Sequence, residues 1–140
     1  MPSPQLAHAQ SLGRFIDRSP SPFHVVDSAI SLLSESGFTR ADPGDSHPIG
    51  AGRFFAPRDG SLVAWVVPED APPDAAFRIV GAHTDSPNLR LKPNPDANAS
   101  GFRRLGVEVY GGVLLNSWLD RDLGLSGRLS LRADDGEPRE

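Results

Sequence analysis

The chain has no cysteine. That excludes disulfides and any thiolate metal site. No apolar stretch reaches the ~18 residues of a membrane-spanning helix, so no membrane partner is expected. The first ten residues lack a basic segment followed by an apolar one, so no signal peptide is read. These absences fit a cytoplasmic address. Lysine occurs once, at Lys92, and no function is drawn from that. Basic residues are outnumbered by acidic ones and the formal net charge is -4, which argues against nucleic acid as a partner. Arg103-Arg104 is too short for a basic patch. There is no internal repeat and no low-complexity tract.

The chain's 140 residues suffice for one ordinary core. Hydrophobic content of 38% with 23% charged residues is that of a soluble domain. Glycine and proline number 14 each, a fifth of the chain, so much of it is expected to be loop and turn.

A first helix is expected over 5–17, with Leu6, Leu12, Phe15 and Ile16 as its buried stripe. Ser19-Pro20-Ser21-Pro22 breaks the chain. Ser21 suits an N-cap, with Pro22 at the first helical position. Phe23, Val26, Ile30 and Leu33 recur at helical spacing, and Gly37 suits the position just past the end. The second helix is therefore placed at 22–36. Residues 41–52 read as loop. Strands are expected at 53–56 and 62–67 around a Pro57-Arg58-Asp59-Gly60 turn. The nearly continuous apolar character of 62–67 predicts cover on both faces, with Trp65 in the core. Phe77 to Ala82 reads as another buried strand, 93–101 as loop, and Gly111-Gly112 as the turn of a hairpin. A last strand is placed at 127–132 and a polar tail after it. The pattern is that of an α/β fold with a mixed sheet and flanking helices, with an all-β last third.

The most informative feature follows the 77–82 run: His83-Thr84-Asp85-Ser86-Pro87. A histidine and an acid two residues on would sit past a strand's carboxyl end, where α/β sheets bind ligands and metals. Imidazole binds Zn²⁺ directly, and a nearby carboxylate orients the ligands. Taken alone, the pair reads in preference as a strand-end turn in which Asp85 caps backbone amides. His24 reads as a satisfied surface histidine, His47 as a solvated loop residue, and His8 as near a frayed end. Asp120-Arg121-Asp122 would share one face if extended, but reads as an ion-paired turn. Trp118 suits a domain or subunit boundary. Gly111-Gly112 lacks a phosphate-loop context, and Ser86 lacks a histidine base.

Phe15-Ile16-Asp17, Ser19-Pro20-Ser21-Pro22-Phe23-His24, Ile79 through Pro87, Tyr110-Gly111-Gly112 and Trp118 through Arg128 recur together. In order and spacing this set resembles the aspartyl aminopeptidase family of zinc metallopeptidases. The resemblance implies a zinc-aminopeptidase-like α/β catalytic domain, with residues 1–103 its N-terminal part. Residues 104–140 would lead into an inserted β-rich dimerisation domain. It implies that His83 is a metal ligand of a two-zinc centre and that Asp85 is the catalytic acid beside the metals, orienting a ligating histidine. The implied reaction removes one N-terminal residue, often acidic, from a peptide, with a metal-activated water and a glutamate base. Implied partners are peptide substrates, the remainder of the catalytic domain, and further copies in a homo-oligomer. The family's other ligands have no matching motif here, so the chain is expected to be an N-terminal portion without activity of its own. Two alternatives stand beside this: a non-catalytic interaction module, and a related two-metal hydrolase such as a deacylase. An exposed apolar surface would separate the first reading from a self-sufficient module.

Overall fold

The computed structural model describes residues 3–42, 50–132 and 138–139. The readings of His47 and of most of the 41–52 loop and the polar tail fall outside them. The chain divides into two compact units, Met1–Thr84 with Ser126–Glu140, and Asp85–Leu125.

In the first unit, α1 spans Pro4–Asp17 and α2 spans Pro22–Glu35. Ser3 caps α1, its Oγ accepting from the Leu6 N–H. The α1 stripe is not buried. Leu6, Leu12 and Ile16 are exposed, Leu12 to 60%, and Phe15 is half-buried. Pro22 opens α2 as expected, but the Ser21 hydroxyl makes no cap bond to the helix backbone. It shares a 2.7 Å hydrogen bond with Nδ1 of His24 instead, which is how that histidine is satisfied. The end of α2 is a Schellman motif. Gly37 has φ 78, its N–H donates to Ser34 C=O, and the Phe38 N–H donates to Leu33 C=O.

Strands β1 (Thr39–Arg40), β2 (Gly52–Arg58) and β3 (Ser61–Val67) form a sheet in that order. β1 runs parallel to β2, and β2 antiparallel to β3, so the sheet is mixed. Arg58 pairs with Ser61, leaving Asp59-Gly60 as a two-residue turn with Asp59 at φ 50. A Cβ on Gly60 would lie 3.0 Å from the Pro22 Cβ, so this turn runs tightly against the start of α2. Phe54 and Trp65 are cross-strand partners with ring centroids 5.7 Å apart. Val26 and Phe55, each 3% exposed, form the core with Ala41. Trp65 is only half-buried, and Val63 and Val66 are exposed, so β3 is covered on one face rather than two.

Phe77 to Ala82 corrects the sequence reading most sharply. It lies in no strand, and Phe77, Ile79 and Val80 are 92%, 86% and 99% exposed. The composition is that of a buried strand, but composition acts only through sheet neighbours, and no sheet among the described residues takes this segment in. The strand expected at 127–132 is likewise reduced to β6 (Leu131–Arg132), paired with β7 (Pro138–Arg139), and Leu129 and Leu131 are exposed.

In the second unit, β4 (Asn88–Ala99) and β5 (Phe102–Tyr110) form an antiparallel pair, followed by a 3-10 turn over Leu115–Ser117. The hairpin turn is Ser100-Gly101, not Gly111-Gly112. Both turn residues have positive φ, 54 and 79, the combination that matches the twist of the flanking strands. The 93–101 loop reading is thereby corrected to strand. Pro93 and Pro95 hid it, since proline gives no ladder N–H. The cost shows as a register shift between Leu91 and Asp96. Asp120 takes φ 54, and Arg121 donates to the Ser117 C=O at 3.3 Å, so this segment is a turn and not a strand.

Candidate metal-site residues

Thr84 fixes the chain between the two candidate residues. Its Oγ1 donates to the Gly60 C=O at 2.7 Å, tying the segment to the β2–β3 turn. The same turn is braced by Arg128, whose guanidinium lies 4.4 Å over the Phe23 ring and 3.2 Å from the Asp59 carboxylate. Ser126 Oγ donates to the Pro20 C=O at 3.1 Å. His83 is exposed on the first unit, and Asp85 is half-buried and opens the second.

Within the second unit, Asp85 meets a residue that sequence reasoning did not assign to the site. The Tyr110 phenol donates to Oδ2 of Asp85 at 2.6 Å. That is the length of an O–H···O⁻ bond to an ionised carboxylate. The Arg90 guanidinium lies 3.9 Å from the centre of the Tyr110 ring. The carboxylate raises the phenol's pKa above its ordinary value, through the hydrogen bond first, then through its charge, with partial burial adding to both. Arg90 acts in the opposite direction. Tyr110 was visible only as part of the Tyr-Gly-Gly motif. The missing signal was register: with the turn at Ser100-Gly101, Tyr110 falls opposite Asn88, three residues past Asp85.

Imidazole and carboxylate are the right donors for zinc, but a zinc site takes three or four protein ligands. Among the described residues, no group of three or more histidine, aspartate or glutamate side chains is placed to hold a metal ion. His83 and Asp85 therefore do not make a zinc site by themselves. His8, Asp120 and Asp122 are exposed, and His24 is engaged with Ser21.

Two helices and a small mixed sheet place the first unit in the mixed α/β class of folds. A crystal structure of yeast aminopeptidase 1 matches 95% of this chain with a TM-score of 0.85 at 31% identity. A cryo-EM structure of an Ape4 and Nbr1 complex matches 90% of it with a TM-score of 0.84 at 34% identity. The chain covers 32% and 25% of those two chains. In sequence it is 54% identical over 132 residues to a probable M18 family aminopeptidase 2 of Streptomyces avermitilis. It is 50% identical over 130 residues to the protein of that name from Mycobacterium tuberculosis. It spans about 30% of the length of these two relatives. The model of the aminopeptidase I zinc metalloprotease (M18) family matches residues 15–140. The chain belongs to that family.

Proposed function

We propose that this chain is the N-terminal portion of a zinc aminopeptidase that releases single residues from the amino ends of peptides. The observation that carries the reading is the family match over 15–140, which contains His83, Asp85 and the Tyr110-Gly111-Gly112 segment. Relatives named as aminopeptidases favour this reaction over that of a related deacylase. The exposure of Phe77, Ile79 and Val80 supports it over a self-sufficient interaction module, which should not leave such a surface.

In this reading His83 supplies one zinc ligand and Asp85 orients a ligating histidine, with the other ligands outside the described residues. Two zinc ions, when bound, supply Lewis acidity and an acidified water. The resemblance implies that the released residue is often acidic, and in this reading the protein works in the cytoplasm. Residues 1–103 belong to the catalytic domain, and 104–140 lead into a β-rich dimerisation domain. Assembly into a homo-oligomer is supported by the dodecamer described for a yeast structural neighbour.

The test uses the purified 140-residue chain beside its His83→Ala variant, and then both joined to the segments that its longer relatives carry. The chain alone should hold no stoichiometric zinc and show no turnover. The joined protein should hydrolyse aspartyl or glutamyl substrates and lose that activity with His83→Ala. Turnover by the short chain, abolished by His83→Ala, would overturn the dependence on outside ligands. An inactive joined protein that binds zinc would overturn the enzymatic reading.

A further inference from the structure

We propose that Tyr110 is the positioning residue for Asp85: its phenol fixes the orientation of the carboxylate, and Arg90, lying over the ring, fixes the phenol. The inference rests on the reading of Asp85 as the acid beside the metals, and deepens it.

A carboxylate on a short stem turns freely unless a donor holds it. The Tyr110 bond at 2.6 Å is charge-assisted, roughly twice as strong as a neutral one. Such a bond positions only if its donor is itself held. Arg90 pairs with Glu108 while Tyr110 pairs with Asn88, so Arg90 and Tyr110 are diagonal neighbours on one face of the hairpin. At 3.9 Å the guanidinium sits in cation–π range of the ring. The backbone on both sides is also restricted. β5 stops at Tyr110 because Gly111 turns at φ 68, where a side chain would be strained. Across from it, a Cβ on Gly111 would already lie 3.4 Å from Pro87. Asn88 Nδ2 donates to the Ser86 C=O at 3.0 Å, bracing the path from Asp85 into β4. The phenol thus stands on a strand end and not on a loop, as a group that must hold a catalytic acid requires.

Tyr110 is the only tyrosine, so tyrosinate absorbance in the near ultraviolet titrates one group. In the 140-residue chain its midpoint should lie above the ordinary phenol value. Asp85→Asn should lower it, and Arg90→Met should raise it further. A midpoint that neither substitution moves would overturn the proposal. The second measurement is made in the protein joined to the remaining catalytic segments. There Tyr110→Phe should lower kcat about tenfold or more, the size typical of lost outer-shell support. KM should change little, and amide exchange should report an intact β4–β5 pair. A wild-type kcat in Tyr110→Phe beside an inactive Asp85→Asn would overturn the positioning role alone. A fully active Asp85→Asn would overturn the reading of Asp85 itself.

Discussion

Among the described residues, three non-glycine residues, Asp59, Ser100 and Asp120, take positive φ. All three sit in turns, and their short polar side chains are the ones that tolerate this conformation best. Ser100 is followed by Gly101 at φ 79, so the β4–β5 turn already accepts one strained residue and depends on glycine for the second. Gly101→Ala has open space for its Cβ, and its whole effect is conformational. It should cost about 1 kcal/mol in the local stability of the hairpin, read from amide exchange across the β4–β5 ladder. Gly112 also has open space but no positive φ, so Gly112→Ala should stay within about 0.5 kcal/mol. Equal effects at the two positions would mean that Gly101 is not the residue that sets the turn.

Elements differ in how much they bury. α2 packs on the β2–β3 hairpin, and Val26 and Phe55 are buried in these elements, whereas α1 contributes no buried residue. Phe55→Ala should therefore destabilise the first unit by about 3 kcal/mol, the range for emptying a buried phenylalanine site. Leu12→Ala, on the exposed stripe of α1, should cost under about 0.5 kcal/mol. Urea midpoints of the two variants check the contrast, and comparable losses would mean that α1 packs as its sequence pattern suggests. The same division explains what could be read from sequence. Both helices, the β2–β3 pair, Pro22 at the helix start and Gly37 at its end depend on neighbours a few residues away, and local chemistry specifies them. The site was half legible. His83 and Asp85 stood out as a motif, while the link from Asp85 to Tyr110 spans 25 residues and depends on a register set by Ser100-Gly101. The segment 77–82 failed for a related reason: an apolar run states that it wants sheet neighbours, not that it has them.

That unmet demand has a consequence for the whole molecule. Side chains such as Ile79 and Val80 are far too apolar to be left in water without effect, and an extended apolar segment outside any sheet invites pairing with another chain. The 140-residue chain should therefore self-associate in sedimentation velocity. The paired substitution Ile79→Lys, Val80→Glu should suppress that association without lowering the urea midpoint, because these side chains are almost fully exposed. In the protein joined to the remaining catalytic segments the same pair should be strongly destabilising, since burying unpartnered charges costs several kcal/mol. The two experiments bear on one question, whether 77–82 is a surface or a core strand awaiting its neighbours. Harmless substitutions in both settings would make it a surface and remove the main physical argument against an independent module. A harmless result in the short chain and a damaging one in the longer protein would show that the residues leading to His83 are held in place by segments the short chain does not supply. His83, the zinc ligand of the proposed function, would then acquire its geometry only in the larger assembly.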